Sequence, residues 1–271
     1  NKDNNLLRYN LAVIQQNLNL NEEARINYNH LIKAEKNLRA MINLYNMDII
    51  EGNFYAAFNT IESILKIKII EHVDKDKAFV LYKLNRIEEA KKICLFYLKK
   101  NNKDLGSLSV IGQCLFQEGN YDEAIKIFEN ILKIDSKNLS ALNSIARTYH
   151  EKHEKVKAEE YYLKALKIDK LSFYLLNNIA GFYREELSYK KAINYYNQAL
   201  LVNPNNAYIY NNLAKIYFDL NDHKEAKKNS FKALEMKNND GDIQKTISFI
   251  YLKDHDFENG WNYFDGRLDL E

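Results

Sequence analysis

A chain of 271 residues would by length alone fold as about two domains, yet one proline and eight glycines among many Leu, Ile, Ala, Lys and Glu suit an almost wholly helical protein. Its 39 basic and 37 acidic residues leave a formal charge of +2, which excludes a global field that would recruit nucleic acid or an anionic membrane. No apolar run approaches the roughly 18 residues that span a bilayer, since even residues 61–70 are broken by Glu62, Ser63, Lys66 and Lys68.

Residues 1–4 are a polar lead-in expected to fray. Because the chain opens on Asn1 rather than Met, further residues are expected upstream. From residue 5 the chain divides into units at 5–37, 38–70, 71–104, 105–138, 139–172, 173–206, 207–240 and 241–271. The first three are the least regular. In the second, GNFYAAF keeps a turn and a second helix, but Asp48 stands where other units place Leu or Tyr. In the third, EHVDKDKAFVLYKLNRIEEA predicts a weaker first helix with charges in its first turn. Loosely patterned units of this kind either bend a stack or receive something against them.

The fourth unit is the clearest. Leu108, Ile111 and Leu115, then Ile125, Phe128, Ile131 and Leu132, follow the spacing of one helix face twice over. Between them EGNYDE, with Gly119, is a polar break where one helix stops and the next starts. Gly112 and Ala124 lie within the apolar faces, where a bulky side chain would hold two helices apart. The unit is therefore a helical hairpin with a close-contact point. Residues aligned with Ala124 are Ala24, Ala57, Ala90, Ala158, Ala192, Ala226 and Gly260, at spacings of 33 or 34 residues. Ala12, Ala78, Ala146, Ala180 and Ala214 align with Gly112, although Tyr45 and Ser248 take that place in the second and last units. Large residues align with Phe128 (Tyr28, Ile61, Tyr162, Tyr196 and Phe264), and Tyr149, Tyr183, Tyr217 and Tyr251 align with Leu115.

The fifth to seventh units keep this pattern, and Pro204 at the end of the sixth stops one helix and sets the turn before the next. In the eighth, Gly260 replaces the alanine, Trp261 follows, and Arg267 falls on a normally small position. Trp261, Tyr263 and Phe264 form an aromatic end surface, expected to be a docking surface rather than a plain cap.

A period of 34 residues with small residues at these offsets resembles the tetratricopeptide repeat family, and the resemblance covers residues 5–271. It implies an all-α fold, a right-handed α-solenoid of about eight hairpins forming one domain over 1–271, with the first helix of each hairpin lining a concave face. The last unit, D-F-x-x-G-W-x-x-x-F-x-x-R, resembles the closing repeat of bacterial tetratricopeptide proteins in which a glycosyltransferase domain follows.

On the first helices of the fifth to seventh repeats, the residues that do not pack are Asn143 and Ser144, Asn177 and Asn178, and Asn211 and Asn212. One turn on come Arg147, Gly181 and Lys215, then His150 and Arg184, while Asn10 and Asn43 take the slot of Asn178 in the first two repeats. An amide both donates and accepts, so a row of asparagines suits the backbone of an extended peptide. Arg147, Arg184 and Lys215 would then select acidic groups. Such rows resemble the asparagine ladders and carboxylate clamps of tetratricopeptide proteins. Against this, Arg147 has Glu151 four residues on and Lys215 has Asp219, so each can form an intrahelical pair, whereas Arg184 has Ser188 there and is the freer cation.

Catalytic and metal signals fail. His150 and His153 lack a third ligand and are expected to be a solvated pair. Residues 254–265 imitate a calcium loop in Asp254, Asp256 and Glu258, but the glycine is misplaced and the segment is expected to be helical. No glycine-rich phosphate loop or activated nucleophile is present, and the aromatics recur at packing positions. Cys94 and Cys114 are expected to be buried reduced thiols, from which a cytoplasmic location follows. The sequence thus predicts a non-enzymatic scaffold with no metal or cofactor, binding a protein or peptide with acidic groups in its groove. The alternative is a substrate-recruiting arm of a larger enzyme, a glycosyltransferase with its catalytic domain beyond Glu271. Self-association through either end is a third reading.

Overall fold

The computed structural model describes the backbone of residues 2–268 and the side chains of residues 4–264. Sixteen α-helices and no strand occur among the described residues, two helices to each expected repeat. The first four hairpins are α1 (Lys2–Asn17) with α2 (Asn21–Glu35), α3 (Leu38–Glu51) with α4 (Phe54–Ile67), α5 (Glu71–Lys83) with α6 (Ile87–Lys100), and α7 (Leu105–Gln117) with α8 (Tyr121–Ile134). The last four are α9 (Leu139–Glu151) with α10 (Lys155–Ile168), α11 (Phe173–Glu185) with α12 (Tyr189–Val202), α13 (Ala207–Asp219) with α14 (His223–Met236), and α15 (Gly241–Lys253) with α16 (Phe257–Leu268). Contacts group the chain into two units, residues 1–144 and 145–271, dividing inside α9.

Each hairpin closes by the same backbone device. Asn19, Gly52, Asn85, Gly119, His153, Leu187, Asn221 and His255 adopt the left-handed conformation, with φ between 55° and 81°. The N–H of the next residue reaches back to the carbonyl five positions earlier, as from Asn120 to Leu115 (2.9 Å) and from Ser188 to Tyr183 (2.8 Å). This closure satisfies a carbonyl that the helix end would leave bare. Glycine and asparagine enter the left-handed region readily, whereas a branched side chain is strained there. Leu187 is the costly member of the set, and its side chain is 71% exposed. Leu187→Gly is therefore expected to raise the unfolding free energy by about 1 kcal/mol in urea titrations; a loss of stability would show that the side chain packs.

Five of the first helices begin on caps written into the sequence, whereas α5 and α11 start without a side-chain cap. Asn37, Asp104, Asn138, Asn206 and Asp240 each accept a backbone N–H two or three residues on through the side-chain oxygen. Inside the hairpins, all the aligned alanines from Ala24 to Ala226 are fully buried. Gly112 is required by packing, because a Cβ there would come within 2.5 Å of the Phe128 ring. At Gly260 a Cβ would meet Leu252 at 2.6 Å. Neighbouring hairpins share cores: Tyr28 and Leu31 of α2 pack with Ala40 and Met47 of α3, and Ile61 and Ile64 of α4 pack with Val73 and Val80 of α5.

The irregular early repeats are not loose. Asp48 is buried because Arg25 of the preceding hairpin reaches it at 2.7 Å while also holding Glu51. Burial raises the Asp48 carboxyl above its ordinary range, and the guanidinium opposes that rise. In the third repeat, four successive charges each find a partner outside α5. Asp74 accepts from Tyr97 (2.9 Å), Lys75 donates to Asp104 (2.6 Å), Asp76 accepts from Tyr45 (2.8 Å), and Lys77 pairs with Glu62 (2.5 Å). These polar ties replace apolar knobs, which is why the hydrophobic pattern fades there. Cys94 and Cys114 are free, buried thiols, raised by burial to about 12 and about 11 respectively.

Candidate functional site

Within the second unit, the first helices of the hairpins carry two clefts that share Arg184 and Glu185. The first, about 270 Å³, is lined by Arg147 of α9, Asn177, Asn178, Gly181 and Arg184 of α11, and Asn212 of α13, among others. Tyr196 from α12 also lines it, its hydroxyl raised to about 12 by burial. The second, about 400 Å³, is mainly apolar, with Leu187, Phe218 of α13 and Phe249 of α15 beside Lys215, Asp242 and Lys245.

The expected groove residues divide by what they touch. Asn177 and Asn178 are half-buried at the first cleft, and Arg147 is exposed there. Arg184, expected to be the freer cation, instead donates from Nη1 to Asn212 Oδ1 at 3.1 Å and lies 4.0 Å from Glu185. Two long polar side chains in adjacent first helices reach each other once the helices pack, which spacing within one helix does not reveal. Asn211 is buried and donates to Asp242 Oδ2 at 2.7 Å. Lys215 donates to the same oxygen at 2.7 Å, so its partner is Asp242 of the next repeat, not Asp219 at the helical spacing. Asn143 is half-buried, lies in the first unit and is not among the residues lining these clefts. Ser144 is buried and accepts from Gln113 (2.9 Å), and Asn43 donates to Tyr9 and Tyr28, so neither is a groove position. Asn10 is exposed.

His150 is not a solvated partner of His153. Its ring packs edge-on against Phe182 (5.0 Å) with Nε2 3.6 Å from Glu185 and 3.7 Å from Glu186, whereas His153 forms the left-handed turn. Among the described residues no cluster of three or more His, Cys, Asp or Glu could hold a metal ion. Asp254 faces His223 and Lys227, and Asp256 accepts from the Asn259 backbone. Asp265 of the loop and Arg267 lie outside the described side chains. No helix among the described residues is long and apolar enough to cross a membrane. At the expected docking surface, Trp261 is 52% exposed and meets Phe264 edge-on, while Tyr263 turns inward to stack on Tyr251 at 5.9 Å.

Sequence reasoning missed the apolar cleft. Phe249 occupies in the eighth repeat the position that Arg147, Gly181 and Lys215 hold in the fifth to seventh. Continuing that row by one period would have found it, as would a leucine at a turn position otherwise given to Asn, Gly or His.

Helical hairpins repeated at this period, joined by one turn geometry and presenting clefts on their first helices, define a helical-repeat protein. Family models of the tetratricopeptide repeat match residues 105–170, 182–221 and 207–240, so these segments of the chain carry tetratricopeptide repeats. The matched segments lie in the regular fourth to seventh repeats. Among solved structures, a tetratricopeptide repeat protein from Parabacteroides merdae aligns at TM-score 0.62 and 14% identity, over 86% of this chain and 93% of that one. Pseudomonas aeruginosa PilF aligns at 0.57 and 22% identity, over 63% and 79% of the two chains. MamA aligns at 0.52 and 22% identity, over 59% and 94%. These similarities establish the fold. No curated protein matches the chain in sequence.

Proposed function

We propose that the protein is a non-catalytic scaffold whose second unit holds an extended segment of another protein along its first helices. The observation that carries this is Gly181. A glycine inside a helix costs about 1 kcal/mol relative to alanine, and packing does not require this one. A Cβ there would meet, at nearest, Tyr196 Oη at 3.9 Å, an ordinary contact. Its effect is to keep the cleft between Asn178 and Arg184 open. Asn177, Asn178 and the Nδ2 of Asn212 would then meet a peptide backbone, with Arg147 and Arg184 at its acidic groups. Lys215, engaged by Asp242, contributes less. An apolar side chain of the same segment would enter beside Phe218 and Phe249. Two buried thiols fit a reducing, cytoplasmic setting, and the reading needs no cofactor, membrane or nucleic acid.

The test is capture from a cell extract by the wild type and by Asn178→Ala/Asn212→Ala, read by mass spectrometry beside a melting curve. A set of proteins lost with the variant, at nearly unchanged melting temperature, supports the groove. An equal loss of stability would make these residues structural. A second reading, an arm that presents substrates to a glycosyltransferase domain, is favoured by the exposed Trp261 and Phe257 on α16. Retention of every captured protein by the groove variant, with loss on Trp261→Ala, would select it.

A further inference from the structure

The outer face of α6 breaks the repeat pattern. Phe96 is 53% exposed, at a position where other repeats place His30, Ser63, Asn130, Lys164, Gln198 and Lys232. Stacking of the hairpins therefore asks for no aromatic there. Leu95 beside it is 52% exposed, where Asn29, Glu62, Glu129 and Asn197 stand in four of the other repeats. Two mainly apolar clefts meet at Phe96 and share Lys92. One, about 440 Å³, runs along α6 past Leu95 and Lys99. The other, about 400 Å³, lies between α6 and α5, with Ile93 and Leu81 in its lining.

The charges around these clefts are unequally satisfied. Glu88 lies 3.4 Å from Lys91, which also holds Glu118. Glu89 accepts from Arg86 at 2.7 Å, Asp74 accepts from Tyr97, and Lys77 holds Glu62. Lys92 and Lys99 remain, and among the described residues neither forms an ion pair. The charge left over is positive, and it brackets the exposed apolar pair. We propose that this face of α6 docks an acidic segment of a partner protein, with a large apolar side chain against Leu95 and Phe96 and carboxylates on Lys92 and Lys99. The two lysines are seven residues apart, about 10 Å along a helix. In an extended segment that span fits acidic residues three apart with the apolar one between them. An anionic bilayer would meet the same lysines, but it would also press on the exposed Glu88 and Glu89 and leave both clefts unfilled. The face lies on a second helix of the first unit, so the inference stands apart from the groove.

A random-peptide display library, depleted on Leu95→Asn/Phe96→Ser and then selected on the wild type, tests it. Both substitutions introduce residues that aligned positions already carry, as at Asn29 and Ser63, so circular dichroism should not change. The peptides retained should carry Leu, Phe or Trp between Asp or Glu residues. Their affinity, read by fluorescence anisotropy, should fall at least about tenfold for the depleting variant. Lys92→Glu/Lys99→Glu, which leaves the apolar pair intact, should cost as much, whereas Gly181→Leu should change nothing. Recovery of no peptide specific to the wild type overturns the inference, as does a set without acidic residues or one that binds the lysine variant equally. Binding to phosphatidylserine–phosphatidylcholine vesicles that is lost with Leu95→Asn/Phe96→Ser would overturn it in favour of a membrane surface.

Discussion

Arg25→Ala is expected to lower the unfolding free energy by about 2–4 kcal/mol at neutral pH, somewhat below a fully buried pair because the guanidinium is partly exposed. The truncation leaves Asp48, 2% exposed, without its cation in an apolar setting. The effect carries a pH signature. Burial already raises the Asp48 carboxyl in the folded protein, and losing Arg25 raises it further. The folded variant then binds a proton more tightly than the unfolded chain, whose aspartates titrate near 3.9. Stability of the variant is highest below that unfolded value and falls as pH rises through the folded one. Urea titrations at pH 5 and pH 8 should therefore show the smaller deficit at pH 5. A deficit below about 0.5 kcal/mol at both would mean that Asp48 is solvated. Since each hairpin depends chiefly on its neighbours, the loss should concentrate in the first two repeats, and hydrogen exchange would locate it there.

Ala192→Leu is expected to cost about 1–3 kcal/mol, because three added carbons must enter a close helix–helix contact. Ala192 is fully buried on α12, with Tyr196 and Ala199 buried on the turns that follow. In the same hairpin, Gly181→Ala should be neutral or stabilising by up to about 1 kcal/mol, since helix propensity rises and little is displaced. Opposite outcomes at these two small residues are what separates a packing position from an open cleft. A neutral Ala192→Leu would displace the repeat register by which every aligned position was assigned.

The period was legible because packing imposes it. A small residue recurs at each close contact as one hairpin stacks on the next, with a large one four residues on in six of the eight (Cys94 and Ser230 are the exceptions), so Ala24 to Gly260 mark all eight hairpins. The turns were legible in residue type at Gly52 and Gly119, whereas at Leu187 and His153 only the repeat register, and not the residue type, points to a left-handed backbone. The irregular early repeats hid their logic because their contacts are pairwise and long-range. Arg25 with Asp48 and Lys75 with Asp104 are 23 and 29 residues apart, a separation at which no periodic pattern appears. At the candidate site, helical spacing placed Arg147, Asn178, Arg184 and Asn212 on first helices, which the fold makes α9, α11 and α13. It said nothing of contacts between first helices, where Arg184 meets Asn212 and Asp242 engages both Asn211 and Lys215.

The groove is tested most directly by selecting binders from a random-peptide display library on the wild-type protein, then measuring them against Gly181→Leu. That side chain fills the first cleft while its backbone remains helical, and the fold is checked by its melting temperature. The account predicts that selected peptides lose at least about tenfold in affinity for Gly181→Leu, and again for Asn178→Ala/Asn212→Ala. Peptides that bind all three proteins alike, on folded variants, would contradict it and move recognition off the first helices of the second unit.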